Sequence, residues 1–163
     1  MISASDIPRF AEMRVVASMQ PLHSPAGGLF PPYESDGLLH HNQIERAFAW
    51  RTLRDSGAML TFSTDWPVVP VDTMLTVKGA VAGSPLPPEW PDQRQSLRET
   101  LGSYTRDNAW LEFNEHRKGR LRAGMLADIV VMDHDLAAMP VQELHQAKAA
   151  YTLCGGRVTF ERS

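Results

Sequence analysis

The stretch Gly57-Ala58-Met59-Leu60-Thr61-Phe62-Ser63-Thr64-Asp65-Trp66-Pro67 decides the fold, because an apolar run with strand character ends there in a carboxylate. So short a run, bounded by Gly57 and by Trp66-Pro67, is typical of a strand buried on both faces. Pro67 cannot donate to a ladder, so we expect the strand to end near Asp65. Chemistry in α/β proteins lies at the carboxyl ends of strands, which makes Asp65 a candidate catalytic or metal-binding residue. The alternative is an aspartate that only caps the following turn.

Length and charge set the class of protein. A chain of 163 residues fits one domain and is too short for a complete eight-stranded barrel of roughly 250 residues. A net charge of −3 without a Lys/Arg cluster argues against nucleic acid and membrane surfaces as partners. The single cysteine, Cys154, excludes an internal disulfide and is expected to be an inert packing residue. No spanning segment or signal peptide is evident, so we expect a cytoplasmic protein.

The amino-terminal part of the chain has the layout of one βα unit. Residues 5–13 predict a short helix with Ser5 or Asp6 as its N-cap. Residues 14–21 then predict a strand, because they begin with β-branched residues and end in proline. His23 follows this strand by two residues, which makes it a candidate site residue or, alternatively, an ordinary polar surface residue.

A second helix is predicted between the two strands. Residues 42–56 carry an apolar face and end at a glycine, which is typical of a helix. The adjacent pair His40-His41 precedes it and makes a poor chelate, because neighbouring side chains point in different directions. The proline- and glycine-rich regions 21–37 and 79–91 predict long loops, which are uncommon unless they work at a site or are disordered.

Beyond the Asp65 strand the pattern changes from helical to strand-like. We predict three helices: residues 74–81, residues 96–103, and a helix capped by Thr105 that ends at Lys118-Gly119. Ser96 and Glu99 have the spacing of a capping box. Residues 119–133 then hold two short strand candidates separated by a glycine turn. Residues 149–161 predict a hairpin around Gly155-Gly156, so the last third should form a small β-layer.

These landmarks together resemble one known family, the metal-dependent amidohydrolases, and in particular amidohydrolase family 3, which includes the N-substituted formamide deformylases. The resemblance lies in six segments that follow the family's order over nearly the whole chain: Asp6-Ile7-Pro8-Arg9-Phe10, Ala17-Ser18-Met19-Gln20-Pro21-Leu22-His23, Trp50-Arg51-Thr52-Leu53, Phe62-Ser63-Thr64-Asp65-Trp66-Pro67, Tyr104-Thr105-Arg106-Asp107-Asn108-Ala109 and residues 119–131. The last segment, with its glycines followed by Ala127-Asp128, is typical of amidohydrolases in general. The segments that end in Gln20-Pro21-Leu22-His23 and in Asp65-Trp66-Pro67 narrow the resemblance to amidohydrolase family 3.

The resemblance implies an α/β fold, namely the carboxyl-terminal part of a TIM-like (β/α)8 metal-dependent hydrolase barrel with a portion of a small β-sandwich. Residues 1–117 would form the last βα units and residues 118–163 the sandwich portion. The implied function is metal-dependent hydrolysis of carbon–nitrogen bonds in non-peptide amides, with a small-molecule amide as substrate and zinc or another divalent metal as cofactor.

The resemblance also assigns roles to individual residues. Asp65 matches the aspartate after the eighth barrel strand, which touches the metal centre and exchanges a proton with the attacking water. His23 matches a histidine just past the seventh strand that lines the substrate pocket, and Trp66 is placed with it in substrate binding. Asp65 is thus the expected catalytic residue and the expected metal ligand of this chain.

The chain also departs from the family pattern. The His-X-His pair, the bridging mid-barrel ligand and the later histidines that hold the metal are absent, so no tightly bound metal is expected. Phe62-Ser63-Thr64-Asp65 stands where Phe-Gly-Ser-Asp is usual, and a common Thr-Arg is absent near Ala82-Gly83. Three interpretations stay open: a carboxyl-terminal portion inactive by itself, one subunit of a split enzyme, and a non-catalytic binding or assembly module. Expected partners are therefore a complementary amino-terminal chain or a second copy.

Overall fold

The protein is described by a computed structural model that covers residues 1–24, 46–83 and 91–163. These residues form a mixed α/β structure with one parallel and one antiparallel sheet. Its α-helices are α1 (Ile7–Glu12), α2 (Trp50–Asp55), α3 (Thr73–Ala82), α4 (Leu97–Tyr104) and α5 (Arg106–Leu111). Its strands are β1 (Ala17–Met19), β2 (Leu60–Phe62), β3 (Ile129–Met132), β4 (Ala149–Cys154) and β5 (Arg157–Glu161), and short 3-10 helices lie at Ala4–Asp6, Pro21–His23 and Val141–Gln146.

The stretch that decides the fold forms β2, and β2 pairs in parallel with β1. The register sets Ala17 opposite Leu60 and Met19 opposite Phe62. Every residue of β2 is buried, with exposed fractions of 0–1%. The prediction of a strand buried on both faces is confirmed. Since β1 and β2 run in the same direction, both strands end at the same edge of the sheet.

Aromatic rings enclose the side chain of the last β2 residue. Phe62 meets Trp50 of α2 edge-on at 6.2 Å and Tyr104 of α4 at 5.8 Å between ring centroids. Such edge-to-face pairs add about 0.5–1.5 kcal/mol each to the burial of the rings. The core around β2 consists of Ala17, Trp50, Leu53, Ala58, Leu60, Phe62 and Ala80. This packing fixes the point at which the chain leaves β2.

Helix α3 joins this core to the carboxyl-terminal part of the chain. Asp72 caps it, because its Oδ1 accepts a hydrogen bond of 3.0 Å from the backbone N–H of Met74. Met74 and Val77 form a second core cluster with Leu144 and Ala147 from the region of the 3-10 helix Val141–Gln146. Residues 79–82 belong to α3, so the predicted loop 79–91 begins too early; of that loop, residues 84–90 lie outside the described residues.

The antiparallel sheet has the order β3-β4-β5. The Gly-Gly hairpin is confirmed, with Cys154 opposite Arg157 and positive φ values of 55° and 81° at Gly155 and Gly156. Two other predictions here are wrong. The segment before Gly124 forms no strand, so among the described residues β3 pairs only with the hairpin. Cys154 is exposed rather than packed, because it lies beside the turn of this sheet.

The predicted helix ends also need correction. Asp6 is the N-cap residue of α1, as predicted, but its side chain makes no capping bond, since its carboxylate accepts from Arg9 instead. The Thr105 hydroxyl donates to the Leu101 carbonyl at 2.7 Å, so it does not cap α5. Helix α5 ends at Leu111 rather than near Gly119, because the chain turns back at Phe113, where φ is 59°.

The helix predicted over residues 42–56 is helical only over Trp50–Asp55 within its described part, residues 46–56. Residues 42–45 of that predicted helix lie outside the described residues. The same holds for the pair His40-His41 and for residues 25–37 of the first predicted loop. Within the described ranges, none of the helices has the length and apolar character needed to cross a bilayer.

Candidate functional site

The candidate site lies where the parallel strands end. The chain leaves β1 through Gln20 and leaves β2 through Ser63, and two hydrogen bonds join these exits. The Ser63 N–H donates to the Met19 carbonyl at 3.2 Å, and Gln20 Nε2 donates to Ser63 Oγ at 3.2 Å. The two strand ends are therefore held side by side, and the residues that follow them share one edge of the sheet.

His23 and Asp65 meet at this edge. The Nε2 atom of His23 lies 3.9 Å from Oδ2 of Asp65, although the two residues are 42 positions apart in the sequence. The His23 side chain is 15% exposed, whereas that of Asp65 is 56% exposed. The pair thus combines a sheltered imidazole with a carboxylate open to solvent. An imidazole can carry or release a proton near neutral pH, and a carboxylate can accept one from a bound molecule.

Asp65 holds an unusual backbone conformation. Its φ is +58°, in the left-handed region that residues with a side chain rarely occupy. Such conformations cost about 1–3 kcal/mol and cluster at functional sites. Two local hydrogen bonds shape the turn, from the Trp66 N–H to Thr64 Oγ1 at 3.3 Å and from the Val68 N–H to the Asp65 carbonyl at 2.9 Å.

An exposed apolar surface follows Asp65 along the chain. Trp66, Val68 and Val71 are exposed by 68%, 55% and 70%, respectively. Exposed apolar residues beside polar groups commonly mark places where ligands bind. Trp66 lies directly after Asp65 in this exposed stretch, and its role in substrate binding stays a prediction.

The described residues contain no complete metal site. A catalytic zinc is held by three protein ligands and keeps one open position. In the part of the chain that the structure describes, no three His, Cys, Asp or Glu side chains converge. Asp65 and His23 carry side chains of the right kind, but two such groups are fewer than a catalytic zinc requires.

Sequence reasoning missed the residues that fix the turn from outside. Gln20 holds Ser63, as described above, and Asn108 of α5 donates its side-chain amide to the Phe62 carbonyl at 3.1 Å. Asn108 also donates to the Tyr104 carbonyl at 3.3 Å. Burial raises the pKa of Tyr104 to about 12, so this phenol stays protonated and serves packing rather than acid–base chemistry. Both residues lie in segments that carry the family resemblance, but no local pattern predicts their bonds, because their partners are 43 and 46 residues away.

Comparison with known proteins identifies related chains. A putative amidohydrolase, YtcJ, of Bacillus subtilis is 29% identical over 96% of this chain, which corresponds to 30% of that protein. An N-substituted formamide deformylase of Arthrobacter pascens is 27% identical over 72% of this chain and 22% of the enzyme. The chain therefore spans less than a third of the length of these relatives.

The solved structures that this chain resembles are also described as hydrolases. A metal-dependent hydrolase from Pyrococcus furiosus matches with a TM-score of 0.60 and 26% identity, over 77% of this chain and 25% of that one. An amidohydrolase from Thermotoga maritima matches with a TM-score of 0.63 over 97% of this chain and 34% of that one; at 18% identity this likeness concerns the fold alone. The mixed α/β fold is thus one found in metal-dependent hydrolases.

The sequence comparison defines the family more closely. The model of the amidohydrolase family, in the group numbered 3, matches residues 1–160, and the chain belongs to this family. The resemblance drawn from the sequence motifs is confirmed at the level of the family.

Proposed function

We propose that this chain forms the carboxyl-terminal part of a metal-dependent hydrolase that cleaves carbon–nitrogen bonds in non-peptide amides. The observation that carries the proposal is the approach of His23 and Asp65 to 3.9 Å at the shared edge of β1 and β2. The family match over residues 1–160 supports the same reaction class. On this proposal residues 1–117 supply the last βα units of a (β/α)8 barrel and residues 118–163 supply part of a small β-sandwich.

Asp65 is the proposed proton carrier of the reaction. Its carboxylate accepts a proton from the water that attacks the amide carbon, and it returns that proton to the leaving nitrogen as the carbon–nitrogen bond breaks. The exposure of its side chain suits this role, because substrate and water reach it from solvent. His23 and Trp66 line the site and contact the substrate. No charge is gained or lost by the protein over the complete cycle.

The proposed cofactor is a divalent metal, zinc or another, whose remaining ligands come from polypeptide beyond this chain. The metal-dependent hydrolase of Pyrococcus furiosus supports the use of a metal in the family. Asp65 is the one proposed ligand from this chain, and the described residues bring no three His, Cys, Asp or Glu side chains together, so this chain alone should hold zinc only weakly. Metal analysis after dialysis against zinc-free buffer should find far less than one equivalent per chain. One tightly held equivalent would contradict this proposal.

A chimera tests the proposed reaction directly. The amino-terminal portion of the Arthrobacter pascens deformylase is joined ahead of Met1 of this chain, which keeps residues 1–163 intact, and formate release from an N-substituted formamide is measured. We expect activity in the chimera and a loss of about 10²–10⁴-fold in kcat on Asp65→Asn. The control is Asp55→Asn, which changes an exposed carboxylate paired with Arg51 on α2 and should leave activity unchanged. Retained activity in the Asp65 variant would assign the proton transfer to another group.

We further propose that this part associates with a complementary amino-terminal chain or with a second copy. Its apolar antiparallel sheet supports this, since Val130, Val158 and Phe160 are exposed by 56%, 58% and 48%. Light scattering should detect assemblies larger than the single chain, and a monodisperse monomer with a sharp melt would contradict the proposal. We also propose a location in the cytoplasm, because a chain with a single cysteine needs no oxidising compartment to form a disulfide.

A further inference from the structure

The end of β2 is held by a residue from a distant helix. The Met59 carbonyl and the Ser63 N–H bond to β1. Since successive residues of a strand point their backbone groups to opposite sides, the Phe62 carbonyl faces away from β1. No strand of the described residues lies on that side. The Nδ2 atom of Asn108 occupies the position instead and donates to the Phe62 carbonyl at 3.1 Å.

The orientation of the Asn108 amide is fixed by its surroundings. Its nitrogen lies within hydrogen-bond distance of two carbonyl oxygens, those of Phe62 and Tyr104. Both are acceptors, so only the NH₂ side of the amide can face them. One nitrogen thereby joins the end of α4 to the end of β2. Rotation of the side chain would leave both carbonyls of this half-buried region without this donor.

The direction of the Phe62 carbonyl sets the direction of the next residues. That carbonyl belongs to the peptide plane that leads into Ser63, and Asp65 follows two residues later with its strained φ of +58°. Gln20 holds the same exit from the β1 side through Ser63. Asn108 and Gln20 thus hold the end of β2 from opposite sides, through hydrogen bonds to Phe62 and Ser63. Asp65 lies in the segment between these bonds and the following turn.

We infer that Asn108 is a positioning residue for Asp65, in that its amide fixes the Phe62 carbonyl and through it the distance between Asp65 and His23. This inference rests on the proposed function for its catalytic consequence. A displacement of the reacting group by about 1 Å can cost about 100-fold in rate. Loss of the amide should therefore lower kcat more than it changes KM.

The test compares Asn108→Asp with Asn114→Asp by NMR in the full chain. The Asn114 amide also donates to a backbone carbonyl, that of Glu112 at 2.9 Å, but it lies on an exposed turn after α5. We expect Asn108→Asp to shift the amide resonances of residues 63–66 and the ring resonances of His23, and Asn114→Asp to leave them in place. Unchanged His23 and Asp65 resonances in the Asn108 variant would overturn the inference.

A second variant covers the case in which the new carboxylate unfolds the chain. Asn108→Ala removes the donor without adding charge and should give the same pattern of shifts at a smaller cost in stability. In the chimera it should lower kcat about tenfold or more with KM changed less than about twofold, whereas a general loss of folded protein would leave kcat per folded molecule unchanged. If the unsubstituted chimera releases no formate, the proposed reaction fails while the resonances still decide the role of Asn108.

Discussion

The parallel and the antiparallel sheet of this molecule differ in how deeply their residues are buried. Strand β2 is covered on both faces by helices, and all three of its residues are buried. The antiparallel sheet has the longer strands, yet every residue of β5 is exposed. The buried sheet is held by contacts between distant segments, whereas the exposed one is made by a local hairpin and its neighbour.

This difference in burial indicates which part of the molecule fixes the positions of its side chains most firmly. His23 and Asp65 lie at the end of the buried sheet, which is fixed by aromatic packing and by the bonds from Gln20 and Asn108. A close-packed surrounding transmits small shifts to the groups it holds, so changes near β2 should reach the site. The exposed sheet should tolerate similar changes because few neighbours depend on it.

A matched pair of phenylalanines tests this comparison with the largest expected effect. Phe62→Ala removes a ring that is 1% exposed and packed between two others, and should lower the free energy of unfolding by about 3–5 kcal/mol. Phe160→Ala removes a ring that is 48% exposed and should cost about 1 kcal/mol or less. Urea denaturation of both variants measures the difference. Equal losses would show that the antiparallel sheet is as tightly packed as β2.

The sequence predicted those features that depend on neighbouring residues. The Gly155-Gly156 hairpin and the Ser96 capping box are specified within a few residues, and both are present. The buried strand could be predicted because a short apolar run is bounded by Gly57 and by Trp66-Pro67. His23 and Asp65 were each identified as candidates from the strands they follow, and the structure brings them together.

Contacts between residues that are far apart in the chain could not be predicted from the sequence. The side chain of Gln93 accepts hydrogen bonds at 2.8 and 3.1 Å from the N–H groups of Arg51 and Thr52 and so caps α2 from another segment. The bond from Asn108 to Phe62 is of the same kind. Thr105 was mistaken for a cap because its position fits, whereas its hydroxyl has a nearer acceptor in the preceding turn. Local patterns do not encode which of two acceptors a side chain will choose.

Two glycines that follow α5 provide a second comparison between a packed and an open position. Gly119 and Gly124 have φ values of +91° and +88°, so alanine is strained at both. A Cβ at Gly119 would also lie 2.6 Å from Cβ of Ala109 and 3.0 Å from the Thr105 carbonyl. At Gly124 it would meet none of the described atoms within 4 Å.

We therefore expect Gly119→Ala to cost about 1–3 kcal/mol more than Gly124→Ala, because overpacking against backbone adds to the shared strain. Thermal unfolding of the two variants under the same conditions gives this difference. Similar melting temperatures would indicate that Gly119 is not packed against α5 as the structure shows.

The smallest effect concerns hydroxyl groups in the two regions. Ser96 Oγ accepts from the Glu99 N–H at 3.2 Å, and Glu99 Oε2 accepts from the Ser96 N–H at 2.9 Å, which completes the capping box of α4. Ser96→Ala should cost about 1 kcal/mol near pH 7. Thr159→Val removes an exposed hydroxyl of β5 that donates to the Thr152 carbonyl at 3.1 Å, and should cost about 0.5 kcal/mol or less, since water can replace it.

The cost at Ser96 should depend on pH, whereas that at Thr159 should not. Burial alone would raise the pKa of Glu99, but the hydrogen bonds from Ser96 and the nearby charges of Arg51 and Arg54 outweigh it and hold the pKa below the ordinary value of 4.5. A lowered carboxyl pKa stabilises the folded state above pH 4.5, and that contribution is lost as the pH falls through the folded-state value. Urea denaturation at pH 7 and pH 3 should therefore show a smaller cost of Ser96→Ala in acid. A cost that is the same at both pH values would mean that the Glu99 carboxylate does not take part in the cap.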